Sequence, residues 1–197
     1  MKVSGKTGFI VVIAVICIGV IVALATVVNT YPSGVPAETI DWNLTLIGNR
    51  GNEKVLTFDE LKELSSYEGY GGFFSTVGMK YGPFECKGVS VEDLCMLVGG
   101  IEPSDTLWVS APDGYLMVFT YDQVQGDILI YDPATLREIP HTDLKMILMY
   151  EQDGALIPED DGRPLRIAIV SSDDGFVTEG HYWVKWVNKI EIRTPDR

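Results

Sequence analysis

The sequence predicts an α+β domain dominated by β-structure, preceded by a single transmembrane helix. Three observations predict it. Residues 8–28 carry no charge, the rest of the chain breaks into short apolar or alternating runs divided by glycine and Asp-Gly turns, and only two strong helix starts occur, at Thr57 and Ser90. The runs add up to about eight to ten strands with two or three short helices, the proportions of a β-rich α+β fold.

The N-terminal run comes first. It is rich in Val and Ile, follows Lys2 and Lys6, and ends before Asn29, Tyr31 and Pro32. As a helix rising about 1.5 Å per residue it spans roughly 31 Å, enough to cross a bilayer core. A cleaved signal peptide is the rival, because Ala23-Leu24-Ala25 reads as a small-x-small site. The apolar run continues past that site, which favours a retained anchor. Both readings leave the lysines inside and export the remainder. The expected organisation is therefore residues 1–28 as anchor or signal, 29–40 as a Pro-containing linker, and 41–197 as one domain.

Charge narrows the partners. All 28 acidic residues lie beyond residue 34 and two of the 15 basic ones lie before it, so the exported part carries 13 minus 28, or −15. Nucleic acid and anionic membrane surfaces are excluded as partners, and a dianionic substrate meets an unfavourable field unless local basic residues overcome it.

The elements follow in order. Residues 42–48 alternate Trp42, Leu44 and Leu46 against Asn43, Thr45 and Ile47, which predicts a half-buried strand closed by the turn at 48–52. Asn43 also opens the acceptor sequon Asn43-Leu-Thr45. Thr57 with Glu60 forms a capping box for a short helix through Leu61 and Leu64. Residues 65–83 interleave glycines with Tyr67, Tyr70, Phe73, Phe74 and Tyr81, which predicts an irregular segment able to wall a pocket or to pin itself as a surface loop. Ser90 with Asp93 caps a second helix, whose buried stripe is Val91, Leu94, Cys95, Leu97 and Val98 and whose stop is Gly99-Gly100. Strands are expected at 106–111 and 115–121 around Asp113-Gly114, then at 128–131 after Gly126. Residues 143–150 are open to helix or strand, and the run Met146-Ile-Leu-Met-Tyr150, apolar without a clear period, favours a buried strand. The last strands are 165–170 and 184–192. Cys17 falls in the apolar run, and Cys95 on a buried helical stripe reads as a free thiol, with pairing to Cys86 as the alternative.

Five motifs occur in a telling order: Leu56-Thr-Phe-Asp-Glu-Leu61, Lys87-Gly-Val-Ser-Val-Glu-Asp-Leu94, Leu148-Met-Tyr-Glu-Gln-Asp-Gly-Ala-Leu-Ile-Pro158, Gly162-Arg-Pro-Leu-Arg166 and Val184-Lys-Trp186. Together they resemble the molybdopterin-binding domain of sulfite oxidase-type oxidoreductases over nearly all of residues 40–193. The resemblance implies that fold, molybdopterin as cofactor and a redox partner protein. It implies that Arg166, Asp161 and the stretch Trp183, Val184 and Lys185 hold the pterin and its phosphate. An arginine fork and a lysine ammonium suit a phosphate, whereas Asp161 stands where the family favours an asparagine, and its carboxylate repels one. The competing expectation is that Arg166 and Lys185 form ion pairs within an acidic domain.

The family's metal also takes a cysteine thiolate, a soft ligand for a soft ion. Its position falls on Ser75 or Thr76, whose hydroxyls are poor substitutes, and Cys86 serves only if the glycine-rich segment is rearranged to present it. With two histidines, His141 and His181, and no paired spacing, neither zinc nor haem is indicated. Asp160-Asp161 and Asp173-Asp174 lack an EF-hand's spacing, and the Ser-elbow, P-loop and dinucleotide fingerprints do not occur. Two functions remain: a molybdopterin-binding oxidoreductase-like domain on the extracytoplasmic side with an altered metal ligand, or a non-catalytic module that kept the fold to bind a small anionic ligand or a partner.

Overall fold

The computed structural model describes residues 40–195. The apolar run at 8–28 lies outside the described residues, and among those described no helix is long and apolar enough to cross a membrane.

Two sheets face a shared core. The first has five strands in the order β2 (Glu53–Thr57), β1 (Asn43–Ile47), β11 (Lys189–Arg193), β5 (Thr106–Ser110) and β6 (Leu116–Thr120). Its centre is the last strand of the chain: β11 runs parallel to β1 and antiparallel to β5, with Ile190 beside both Leu46 and Val109. The second sheet has six strands, β10 (Thr178–Glu179), β3 (Ser66–Phe74), β4 (Lys80–Ser90), β7 (Lys145–Gln152) and β8 (Ala155–Leu156), with β9 (Arg166–Val170) also paired to β7. Three short helices complete the domain: α1 (Phe58–Lys62), α2 (Val91–Met96) and α3 (Tyr121–Val124).

The expected β-rich proportions and most elements are present. The Thr57 box closes as anticipated: Thr57 N–H donates to the Glu60 carboxylate at 2.8 Å, and Glu60 N–H donates to Thr57 Oγ1 at 3.2 Å. Ser90 starts α2 without a side-chain cap bond. The missing period of residues 146–150 has a physical cause, since β7 is buried on both faces. Met146, Leu148 and Tyr150 enter the larger core cluster, while Ile147 and Met149 enter a smaller one with Phe73, Cys86, Ile157, Ala168, Val170 and Trp183. Strand β9 divides likewise, Ile167 and Ile169 to the larger cluster and Ala168 and Val170 to the smaller.

Three expectations are corrected. Residues 65–83 are not irregular: they form β3, a turn and the start of β4. The glycines there serve close strand approach, because a β-carbon on Gly71 would lie 2.3 Å from Ile169 O and one on Gly69 2.8 Å from Ser171 O. Residues 128–131 form no strand; Ile128 and Ile130 are buried in the core, and only Tyr131 makes isolated bridges, to Glu138 and Val177. The final strand begins at Lys189, not 184, because Trp186 has φ of 53° and breaks the extended path. Cys86 lies in β4 and is fully buried, and it and Cys95 are both free thiols, as the favoured reading expected.

Candidate functional site

Alternation along β9 explains how an arginine comes to lie inside the domain. Arg166 shares a face with Ala168 and Val170, so its side chain enters the smaller cluster and is 1% exposed. Its guanidinium lies 4.7 Å from the centre of the Phe73 ring and 5.3 Å from that of Trp183, an arrangement in which aromatic faces partly replace water. A buried guanidinium also needs an anion. Asp161 supplies it: Arg166 Nη1 donates to the Asp161 carboxylate at 2.9 Å and to the Asp161 carbonyl at 3.0 Å.

Asp161 sits at the end of a short 3-10 turn, Glu159–Asp161, closed by Gly162 at φ 110°. The absent side chain of Gly162 admits Lys185, since a β-carbon there would lie 3.1 Å from Lys185 Cα, Cβ and Cγ. Lys185 then reaches the same turn. Its ammonium donates to Asp161 Oδ1 at 2.9 Å and to the Asp160 carbonyl at 2.8 Å, and Trp186 Nε1 donates to the Glu159 carbonyl at 3.2 Å. The two motifs that are 19 positions apart at Arg166 and Lys185 thus meet on one carboxylate oxygen.

Electrostatics follow from that meeting. Burial pushes the Asp161 carboxyl upward, but the Lys185 hydrogen bond and the charges of Arg166 and Lys185 outweigh it and hold it below the ordinary value. Burial lowers the Arg166 guanidinium, and Asp161 opposes that shift.

Two clefts share Gly180, and the first of them reaches Lys185. One, of about 250 Å3, is lined by Asp113, Tyr115, Gly180, Trp183, Val184, Lys185 and Trp186. The other, of about 340 Å3, is lined by Phe73, Phe74, Ser75, Thr76, Glu179, Gly180 and His181. In the second, His181 Nδ1 lies 3.1 Å from the Glu179 carboxylate, which also accepts the Tyr131 hydroxyl at 3.0 Å. The structure therefore brings Asp161, Arg166 and Lys185 together and puts Ser75 and Thr76 in the neighbouring cleft.

Trp183 and Val184 line the first cleft together with Lys185. Both are buried, Trp183 Nε1 donates to Thr178 Oγ1 at 2.8 Å, and their backbone N–H groups donate to Gly180 O and Tyr182 O. Cys86 is removed from both clefts: its thiol packs in the smaller cluster, donates to Phe84 O at 3.6 Å, and is pushed up to about 12 by burial and then by Asp153. Sequence reasoning missed Tyr115, Glu179 and Gly180 as lining residues. The Asp113-Gly114 turn that carries Tyr115 was legible, but its approach to Lys185 is a property of the fold.

The chain matches the family model described as oxidoreductase molybdopterin binding domain over residues 32–197. Among solved structures it is similar to the sulfane dehydrogenase SoxCD from Paracoccus pantotrophus, with a TM-score of 0.60 and 17% identity over 82% of this chain. It spans 40% of that longer chain, and a likeness at this identity speaks for the fold. No curated protein matches it. Matched along its whole described length, and carrying the β-rich architecture with the Gly162-Arg-Pro-Leu-Arg166 and Val184-Lys-Trp186 segments joined at one carboxylate, the chain belongs to the oxidoreductase molybdopterin-binding domain family.

Proposed function

We propose that this chain is an extracytoplasmic ligand-binding member of the family, held at the membrane by residues 8–28, that takes a planar anionic ligand of the pterin class without a protein thiolate on a metal. The observation that carries it is the cleft at Lys185. Tyr115, Trp183 and Trp186 give it aromatic walls, and Lys185 gives it a cation on the rim, the chemistry that suits a flat heteroaromatic ring bearing an anionic tail.

The residues fit one part of molybdopterin and not the other. The ring has aromatic counterparts, and an anionic end meets one cation, Lys185, which is shared with Asp161. The metal's protein thiolate has no counterpart, because Ser75 and Thr76 offer hydroxyls and the Cys86 thiol is buried and held protonated at neutral pH. Binding is accordingly the role supported, and a redox partner protein belongs to the oxidoreductase alternative.

Purification of the full chain from its own membranes, followed by acid release of bound ligand and fluorescence and metal analysis, tests the proposal. The expected result is a pterin-type chromophore recovered with the protein, at an amount that Lys185→Gln reduces, and a metal content unaffected by Cys86→Ser. Stoichiometric molybdenum that is lost in Cys86→Ser would restore the thiolate and reject the reading. A soluble mature form beginning near Thr26 would reject the anchor.

A further inference from the structure

We infer that Asp161 is a specificity residue: a built-in carboxylate that fills half of the anion seat between Arg166 and Lys185 and matches the seat to a singly charged group in place of a phosphate dianion. This deepens the reading of the Lys185 cleft as an anion site and rests on it.

The argument is one of counting charges and donors. Arg166 and Lys185 bring two positive charges, and a single Asp161 oxygen stands 2.9 Å from both. One of the two charges is thereby cancelled inside the protein, and the one left shares its cleft with the Asp113 carboxylate, so the seat has no second charge to offer a dianion. Donors give the same answer. An ammonium has three N–H groups, and those of Lys185 already serve Asp161 Oδ1 and the Asp160 carbonyl, so one remains for the cleft that Lys185 lines. Arg166 contributes nothing directly, being 1% exposed beneath Phe73 and Trp183, although its Nε is buried without a hydrogen-bond acceptor. A dianion entering here would meet the Asp161 carboxylate at close range with one lysine hydrogen to offset it. An asparagine at 161 keeps the acceptor oxygen for both cations and removes the opposing charge.

Sulfate and methanesulfonate separate charge from shape, since both are tetrahedral and differ in one unit of charge. Their affinities are measured by titration calorimetry on the full chain in detergent, for the wild type, Asp161→Asn and Asp160→Asn. The wild type is expected to bind sulfate no more tightly than methanesulfonate. Asp161→Asn is expected to bind sulfate at least about tenfold more tightly than the wild type does, and Asp160→Asn, which removes the same charge from an exposed neighbour, is expected to show no such gain. A wild type that prefers sulfate tenfold overturns the inference even if Asp161→Asn fails to fold. An equal gain in Asp160→Asn overturns it by reducing the effect to net charge, and absence of any anion binding in Asp161→Asn overturns it by closing the seat. Because simple anions report on the seat alone, these outcomes are independent of whether a pterin is recovered from the native protein.

Discussion

Gly162 and Lys185 are in contact through a missing side chain: a β-carbon at 162 would stand 3.1 Å from three carbons of Lys185. The backbone at Gly162 also has φ of 110°, a conformation other residues rarely adopt. Gly162→Ala therefore combines backbone strain with displacement of the lysine, and a loss of about 1–3 kcal/mol is expected from urea midpoints. Gly154→Ala isolates the backbone part, because Gly154 has φ of 75° and nothing within 4 Å of its would-be β-carbon. Equal losses in the two variants would show that the Lys185 contact carries no weight.

The pair Asp161 and Arg166 is expected to respond unequally to truncation. Asp161→Ala leaves a guanidinium that is 1% exposed without its anion, at a cost of about 2–3 kcal/mol once the partial exposure of Asp161 is discounted. Arg166→Met removes the charge that needed pairing and keeps a flexible side chain between Phe73 and Trp183, so a smaller loss, within about 1.5 kcal/mol, is expected. Denaturant unfolding in which Arg166→Met is the less stable of the two would refute this account of the burial.

How much of this was legible in the sequence depends on the range of the cause. The Thr57–Glu60 box is a four-residue signal and forms as read. The buried strand at 145–152 was legible because burial on both faces erases the period. Gly69 and Gly71 misled, because the reason for glycine there is β9, about a hundred residues away in the chain, and local composition reads the same glycines as a loop. At the site, the motifs named Asp161, Arg166 and Lys185. That one oxygen serves both cations, and that Trp183 and Val184 are core residues, requires the packing of β9 against the segment after Gly180.

Both described thiols are expected to resist labelling in the native state. Cys86 and Cys95 are at most 1% exposed, and burial first of all pushes each up to about 12, with Asp153 adding to Cys86 and Glu92 to Cys95. At pH 8 neither offers reagent or thiolate access, so a thiol reagent should modify them only on unfolding, at matching rates. Fast native labelling at Cys86 would place it in an open segment after all, and a mass shift showing the two linked would contradict the free thiols.

Acid should weaken the fold through Asp161. Its folded pKa is held below the unfolded carboxyl value of about 3.9, so its contribution is complete above that value and is lost as pH falls through the lower, folded one. Asp161→Asn has no such proton to take up. The stability gap between wild type and Asp161→Asn, measured by urea unfolding from pH 7 to pH 2, is therefore expected to stay constant down to about pH 5 and to shrink below about pH 4. Glu191 titrates in the same direction, held down chiefly by its hydrogen bond with Arg193, but it is present in both proteins and cancels in the difference. A gap that holds steady to pH 2, or that widens on acidification, would mean that Asp161 is not held in its charged form by Lys185 and Arg166.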